Sequence, residues 1–215
     1  MGLMKASGFQ PLIAAEPEPA ASGHAIPDPA DRDPAELLCS AAPADRCLGA
    51  RLLGQRPDSE ALLLTQLDGE CDPAVREAIL LGLLALGSDE AAAGLVEVLH
   101  SDDAGLRNAA IETLSAMPEA AAPLVDALLE DADSDIRLLT CNMLLSLPHP
   151  GVPAWLCAVA ERDSHPNVCA AAVDALAEVG DPGCVPSLQS VAARFPDDAF
   201  LRFAVDAAIQ RLGGA

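Results

Sequence analysis

Apolar residues recur along this chain at the spacing of one face of an α-helix, and the whole pattern is repeated several times. Between Asp72 and Gly87 the apolar stripe consists of Val75, Ala78, Ile79, Leu83 and Leu86. This spacing places the stripe along one side of an amphipathic helix. Later stretches show the same pattern, and their first apolar residues are Leu106, Ile136, Val168 and Leu201.

The interval between the copies is nearly constant. If Val75 is taken as the origin of its repeat, the successive origins lie 31, 30, 32 and 33 residues apart. A fixed period in this range is typical of solenoids, in which each repeat packs against its neighbours. A shorter apolar helix is predicted before each copy. The sequence therefore predicts an all-α fold, a right-handed α-solenoid or α-α superhelix built from helix pairs.

The N-terminal part of the chain departs from this pattern. Residues 1–33 are acidic, rich in Pro and Ala and without a sustained period, which predicts a disordered or loosely attached leader. Residues 34–215 are predicted to form about five repeats and a degenerate N-terminal cap, in which Asp45 replaces the buried origin. Glycines able to adopt the left-handed conformation follow several second helices. They are Gly54, Gly87, Gly180 and Gly213.

Charged residues repeat together with the apolar stripe. An acid stands three residues before the origin and an arginine one residue after it, at Asp72, Arg76, Asp103, Arg107, Asp133, Arg137, Asp198 and Arg202. In the remaining repeat, His165 and Cys169 occupy these two positions. We expect the acid to cap the helix and the arginine to reach acids or carbonyls of the neighbouring repeat. We interpret these repeated acids and arginines as structural, and we call the set the structural ladder.

These residues carry a resemblance to a known family. The pattern Asp-x-x-(Val/Leu/Ile)-Arg, opening the second helix of each pair, resembles the short bacterial HEAT repeats named after phycobilisome lyases. The resemblance covers about residues 34 to 213. It implies a HEAT-type solenoid, and it leaves function open because such repeats occur in scaffolds, assembly factors, chromophore lyases and a metal-dependent hydroxylase.

The charge of the chain excludes several classes of partner. The formal net charge is −21, with Lys5 as the single lysine. Such a field repels phosphate backbones and anionic headgroups, so we expect neither nucleic-acid nor membrane binding. No apolar run is long enough to span a bilayer, and the N-terminus lacks the pattern of a secretory signal. A cytoplasmic location is expected.

The side of the second helices opposite the core stripe is the predicted binding surface. It lies about 200 degrees around the helix from each origin. The candidate partner-binding residues on it are Glu77, Leu81, Leu84, Glu112, Leu138, Asn142, Leu145, Asp174 and Phe203. Apolar residues rimmed by acids are typical of protein interfaces. Strong curvature, or a leader folded back into the groove, is the alternative that would cover the leucines.

Motifs for catalysis, cofactors or metals are nearly absent. No histidine is followed by glutamate, so the His-Glu steps of the HEAT-type hydroxylase are missing. His165 and Cys169 share a helix, but two ligands are too few for a metal site. Three phenylalanines near the C-terminal end, together with Trp155, are interpreted as a capping cluster, with a chromophore or peptide site as the alternative; the phenylalanines are Phe195, Phe200 and Phe203.

The sequence thus predicts a non-catalytic interaction scaffold, adaptor or assembly factor with no cofactor. Its expected partner is a protein with an apolar segment flanked by basic residues, bound in the concave groove. The leading alternative is a bilin lyase-like subunit or a chaperone of a cofactor-containing protein.

Overall fold

Every regular element between residues 32 and 213, the part of the chain that the computed structural model describes, is helical. In chain order the helices are α1 (Pro34–Leu38), α2 (Pro43–Leu53), α3 (Glu60–Gly69), α4 (Pro73–Leu86), α5 (Asp89–Val98), α6 (Ala104–Ser115), α7 (Pro118–Ala121), α8 (Val125–Leu129), α9 (Ser134–Ser146), α10 (Val152–Arg162), α11 (Pro166–Val179), α12 (Val185–Arg194) and α13 (Ala199–Gly213). A 3₁₀ turn at Ala122–Leu124 joins α7 to α8. The predicted leader lies almost wholly outside the described residues.

The helices are arranged in two layers. Helices α2, α4, α6, α9, α11 and α13 lie side by side in one layer. Helices α3, α5, α7 with α8, α10 and α12 form the other layer, and each packs against the second helix of its own pair. The all-α solenoid of helix pairs predicted by the apolar period is confirmed.

The core follows the predicted stripe and includes a position that the stripe omits. The origins Val75, Leu106, Ile136, Val168 and Leu201 are all buried. The position five residues after the origin is buried as well, at Ala50, Leu80, Ile111, Cys141 and Val173. The carbonyl of Ala50 lies beside Gly82 of the next repeat, so this position faces the following second helix. In α13 the equivalent residue is Asp206, which is exposed, so the outer side of α13 is polar at this position.

The helix-ending glycines have different roles. Gly87 has φ 59° and ends α4 in the left-handed conformation. Gly54 and Gly180 have φ −61° and −76°, so the left-handed conformation suggested for them is wrong. A Cβ added to Gly54 would lie 2.5 Å from the Cα of Gly82. Gly54 is therefore required by the close approach of α2 to α4, and its backbone angles are ordinary. Gly213 is the last residue of α13.

Candidate functional site

The candidate binding residues lie on the second helices and differ in exposure. Leu81, Leu145 and Phe203 expose 53%, 42% and 72% of their surfaces. Glu77, Glu112, Asn142 and Asp174 are also exposed. Leu84 and Leu138 are half-buried and pack against the core. The second-helix surface thus presents apolar side chains separated by acids and an amide.

A groove between α4 and α6 brings four of these candidates together. It has a volume of about 560 Å³ and contains Glu77, Leu81, Leu84 and Glu112. The rest of its apolar lining was not among the predicted binding residues; it includes Leu80, Leu106, Ala109 and Ala116. Of these, Leu106 and Ala109 are at positions of the core stripe, and Leu80 and Leu106 are buried, so the floor of the groove is the edge of the core between α4 and α6. We call this cavity the α4–α6 groove.

Two carboxylates on the groove have no compensating charge. Among the described residues, no hydrogen bond or ion pair reaches the carboxylate of Glu77 or Glu112. The one arginine in the lining, Arg76, is already engaged, since its NH1 donates to Asp103 Oδ2 at 2.7 Å. The Arg76 hydrogen bond lowers the pKa of Asp103, so that carboxylate is charged at neutral pH. The groove therefore combines an apolar floor with an acidic rim.

The remaining candidates lie outside this groove. Asn142 lines a smaller space of about 320 Å³ between α6 and α9, which it shares with Glu112. Leu138, Leu145, Asp174 and Phe203 line neither of these spaces. The structure thus divides the predicted surface into one groove and several separate positions.

The arginine ladder closes the loop within each helix pair. Each ladder arginine donates to the backbone carbonyl six residues before it. The distances are 2.6 Å for Arg76 to Glu70, 2.6 Å for Arg107 to Ser101, 2.8 Å for Arg137 to Asp131 and 3.5 Å for Arg202 to Pro196. The last distance is too long for a strong bond. The loop carbonyls that helix ends leave unpaired are in this way satisfied by the arginines.

The acids of the ladder serve mainly as helix caps. The carboxylates of Asp72, Asp103, Asp133 and Asp198 accept hydrogen bonds from backbone N–H groups in the first turn of the following helix. Arg76 pairs with Asp103, which belongs to the next repeat. Arg137 makes two bonds to Asp163 of the next repeat, at 2.7 and 3.2 Å. The ladder thus links successive repeats through side chains.

The repeat that lacks its ladder arginine receives one from the following pair. Cys169 Sγ donates to the carbonyl of Asp163, six residues before it. Arg194, at the end of α12, donates to the carbonyls of Asp163 and Ala160 and to Cys169 Sγ. Arg194 therefore takes over the loop-closing role that Arg76 and Arg137 have elsewhere. No sequence pattern predicts this role, because Arg194 lies outside the repeated position.

We predict that Arg194→Ala destabilises the protein by about 2 kcal/mol, since the Ala160 carbonyl loses the guanidinium donor and the Asp163 carbonyl keeps only the weak thiol donor of Cys169. Arg202→Ala is the matched control, because Arg202 is exposed and makes only the 3.5 Å contact. Its cost is expected to stay within about 0.5 kcal/mol. Urea unfolding followed by circular dichroism measures both changes. Equal costs for the two variants would show that Arg194 does not replace the missing ladder arginine.

The aromatic residues do not form the predicted capping cluster. Phe200 and Phe203 expose 70% and 72% of their surfaces. Phe195 is half-buried with the Arg194 guanidinium 5.2 Å from its ring centroid. Trp155 stacks on His149, with the ring centroids 4.9 Å apart. The capping interpretation is therefore wrong, since Phe200 and Phe203 face solvent and cannot cover the end of the core.

Within residues 32–213, no three His, Cys, Asp or Glu side chains are grouped as ligands for a metal ion. The thiol of Cys169, which was considered with His165, is held by the Asp163 carbonyl instead. None of the helices in the described part of the chain has the length and apolar character needed to cross a membrane.

The stack of paired helices defines an α-solenoid repeat protein. The family profile described as HEAT repeats matches residues 35–115 and 121–210. The chain thus belongs to the HEAT-repeat family, as the ladder motif predicted. No curated protein matches the sequence.

Three solved structures are among those similar to this chain. Human deoxyhypusine hydroxylase in complex with glycerol is 18% identical, with 85% of this chain and 84% of that chain covered and a TM-score of 0.45. An engineered protein is 17% identical, with coverage of 84% and 95% and a TM-score of 0.41. The complex of CpcE and CpcF of phycocyanin lyase from Nostoc sp. PCC7120 is 17% identical, with coverage of 93% and 99% and a TM-score of 0.36.

Proposed function

We propose that this HEAT-repeat protein is a non-catalytic interaction scaffold or assembly factor whose α4–α6 groove binds a partner protein. The bound segment is apolar and flanked by basic residues. The observation that carries the proposal is the groove itself, whose lining combines exposed Leu81 and half-buried Leu84 with the unpaired carboxylates of Glu77 and Glu112. An apolar floor with a polar rim is the usual anatomy of a protein interface.

The apolar floor supplies the binding free energy. Complete burial of a leucine contributes about 1.5 to 3 kcal/mol. Leu81 is 53% exposed in the free protein, so its further burial by a partner contributes about 1 kcal/mol or more. The groove volume of about 560 Å³ accommodates one or two apolar side chains of the partner. Leu81 is the expected centre of the contact.

The acidic rim of the groove contributes to specificity and increases the rate of association with a basic partner. The formal charge of −21 and the unpaired Glu77 and Glu112 attract a basic partner over several ångströms. Salt screens this attraction, so we expect the association rate to fall as ionic strength rises. An association rate that is indifferent to salt would remove the steering role from these carboxylates.

We predict that Leu81→Asp weakens partner binding at least about tenfold without lowering the melting temperature, because the side chain is exposed before binding. Leu62→Asp is the matched control. Leu62 is 48% exposed and lies on α3, in the other helix layer. Tagged proteins are used to capture partners from the native host, and binding of each purified partner is then measured by interferometry.

The comparison between the two variants decides the outcome. A partner retained by the unmodified protein and by Leu62→Asp, but lost with Leu81→Asp, supports the α4–α6 groove. If both variants retain the same partners with the same affinities, the groove is not the binding site. A lower melting temperature for Leu81→Asp would show that Leu81 contributes to folding in a way its exposure does not reveal.

A further inference from the structure

A second cleft lies on the other helix layer, away from the α4–α6 groove. It has a volume of about 520 Å³ and lies between α8 and α10. Leu129 and Val159 provide apolar lining, and the indole of Trp155 forms part of the wall. This volume is within the range of about 300 to 1,000 Å³ that is usual for sites binding small groups.

The charges around this cleft are unbalanced. Arg137 and Asp163 neutralise each other through two hydrogen bonds of 2.7 and 3.2 Å. The other charged groups of the lining are three carboxylates and one guanidinium, namely Asp126, Glu130, Asp131 and Arg162. The cleft therefore carries a net negative charge.

Two of these carboxylates are available to a ligand. In the described part of the chain, no hydrogen bond or ion pair reaches the carboxylate of Asp126 or Glu130, and both residues are exposed. Asp131 is partly engaged, because its Oδ1 accepts a hydrogen bond from the Asp133 N–H at 2.7 Å. A cation entering the cleft would thus meet acceptors that have no internal donor.

Trp155 adds an aromatic wall to this acidic surface. Its ring is stacked on His149 with an angle of 22° between the planes, and it packs against the core. A cation near an indole is attracted by the negative charge on the ring face. A guanidinium group suits such a place because it stacks on aromatic rings and also donates two parallel hydrogen bonds to a carboxylate.

We propose that the cleft formed by Asp126, Glu130 and Trp155 binds an arginine side chain of another protein. The guanidinium donates to the two carboxylates, and its planar face lies near the indole. The apolar lining from Leu129 and Val159 contacts the methylene groups of the same side chain. This site does not depend on the α4–α6 groove, so it is tested independently of the proposed function.

The chain contains its own reporter for this site. Trp155 is the only tryptophan, and there is no tyrosine, so fluorescence excited in the near ultraviolet comes from the cleft. The full-length protein is titrated with N-acetylarginine amide and, as a neutral compound of the same shape, with N-acetylcitrulline amide. We expect a saturable change with the arginine compound and at least about tenfold weaker binding of the citrulline compound. Equal responses to the two compounds would overturn the proposal.

A pair of double variants separates the cleft from the general acidity of the protein. Asp126→Asn with Glu130→Gln removes the two free carboxylates, and we expect arginine binding to weaken at least about fivefold. Glu97→Gln with Asp206→Asn changes the net charge equally at exposed residues outside the cleft, and binding should be unchanged. Equal weakening in both double variants would show attraction by overall charge and would also overturn the proposal.

Discussion

Replacing Gly54 by alanine is expected to destabilise the protein by about 2 kcal/mol, although alanine is the better helix former. A Cβ at Gly54 would lie 2.5 Å from Gly82 Cα and 3.0 Å from Gly82 O. Both atoms belong to the backbone of α4, so the new methyl group can be accommodated only if α2 and α4 move apart. Forcing extra atoms into a packed interface costs about 1 to 3 kcal/mol. Urea unfolding monitored by circular dichroism measures the change.

Gly69→Ala is the matched control for Gly54→Ala. Gly69 is the last residue of α3, and no heavy atom lies within 4 Å of the position its Cβ would take. This variant should be neutral or more stable by up to about 1 kcal/mol, because alanine reduces the freedom of the unfolded chain. If Gly54→Ala is as stable as Gly69→Ala, the close approach of α2 and α4 does not require glycine.

Replacing Glu70 by glutamine is expected to reduce stability near neutral pH by about 3 kcal/mol, because it breaks a buried ion pair. Glu70 is 4% exposed and accepts two hydrogen bonds from Arg46, at 2.8 and 3.0 Å. Its carboxylate also accepts from Gln66 and from the N–H groups of Cys71 and Asp72. Glutamine has the same shape but lacks the charge and one acceptor oxygen.

The pH dependence of this difference has a definite sign. The hydrogen bond from Arg46, followed by the smaller effects of its other donors, lowers the pKa of Glu70 from 4.5 to about 2. A carboxyl with a lowered pKa in the folded state stabilises the fold above its unfolded pKa and loses that contribution as the pH falls. The stability difference between the two proteins should therefore be largest above about pH 5 and should shrink between about pH 4.5 and pH 2.

Unfolding free energies of both proteins across this pH range test the prediction. The difference between the unmodified protein and Glu70→Gln removes the effects of the many other carboxylates. Glu97→Gln is the control, since Glu97 is exposed on α5, and its effect should stay within about 0.5 kcal/mol at every pH. A difference for Glu70→Gln that does not change with pH would contradict the role of the ionised carboxylate.

The sequence predicted the fold well because the signal was periodic. Origins such as Val75 and Val168 lie at nearly equal intervals, and each must be buried for its helix to pack. A wrong assignment in one repeat would be inconsistent with the others. The interpretation failed where a residue was read from its local pattern alone, as at Gly54, whose role depends on α4 of the following repeat.

The candidate site was predicted less completely. The angular position of Leu81 and Glu77 follows from helix geometry, because residues opposite the core stripe point away from the partner helices. The contribution of Leu106 and Ala109 to the groove lining does not follow from it. Both occupy core positions, and they line the α4–α6 groove only because of how far apart two neighbouring helices lie. The distance between neighbouring repeats depends on many side chains and cannot be predicted from the apolar stripe of a single helix.

The sequence by itself determined that the chain is a stack of HEAT-type helix pairs with capped second helices and an acidic surface. Those features depend on residues that are close together in the chain, and the same residue pattern occurs in several repeats. Only the tertiary structure decided that Arg194 replaces the missing ladder arginine, that α4 and α6 separate into a groove, and that Asp126, Glu130 and Trp155 line one cleft. Each of these depends on contacts between different repeats, whose geometry is set by packing.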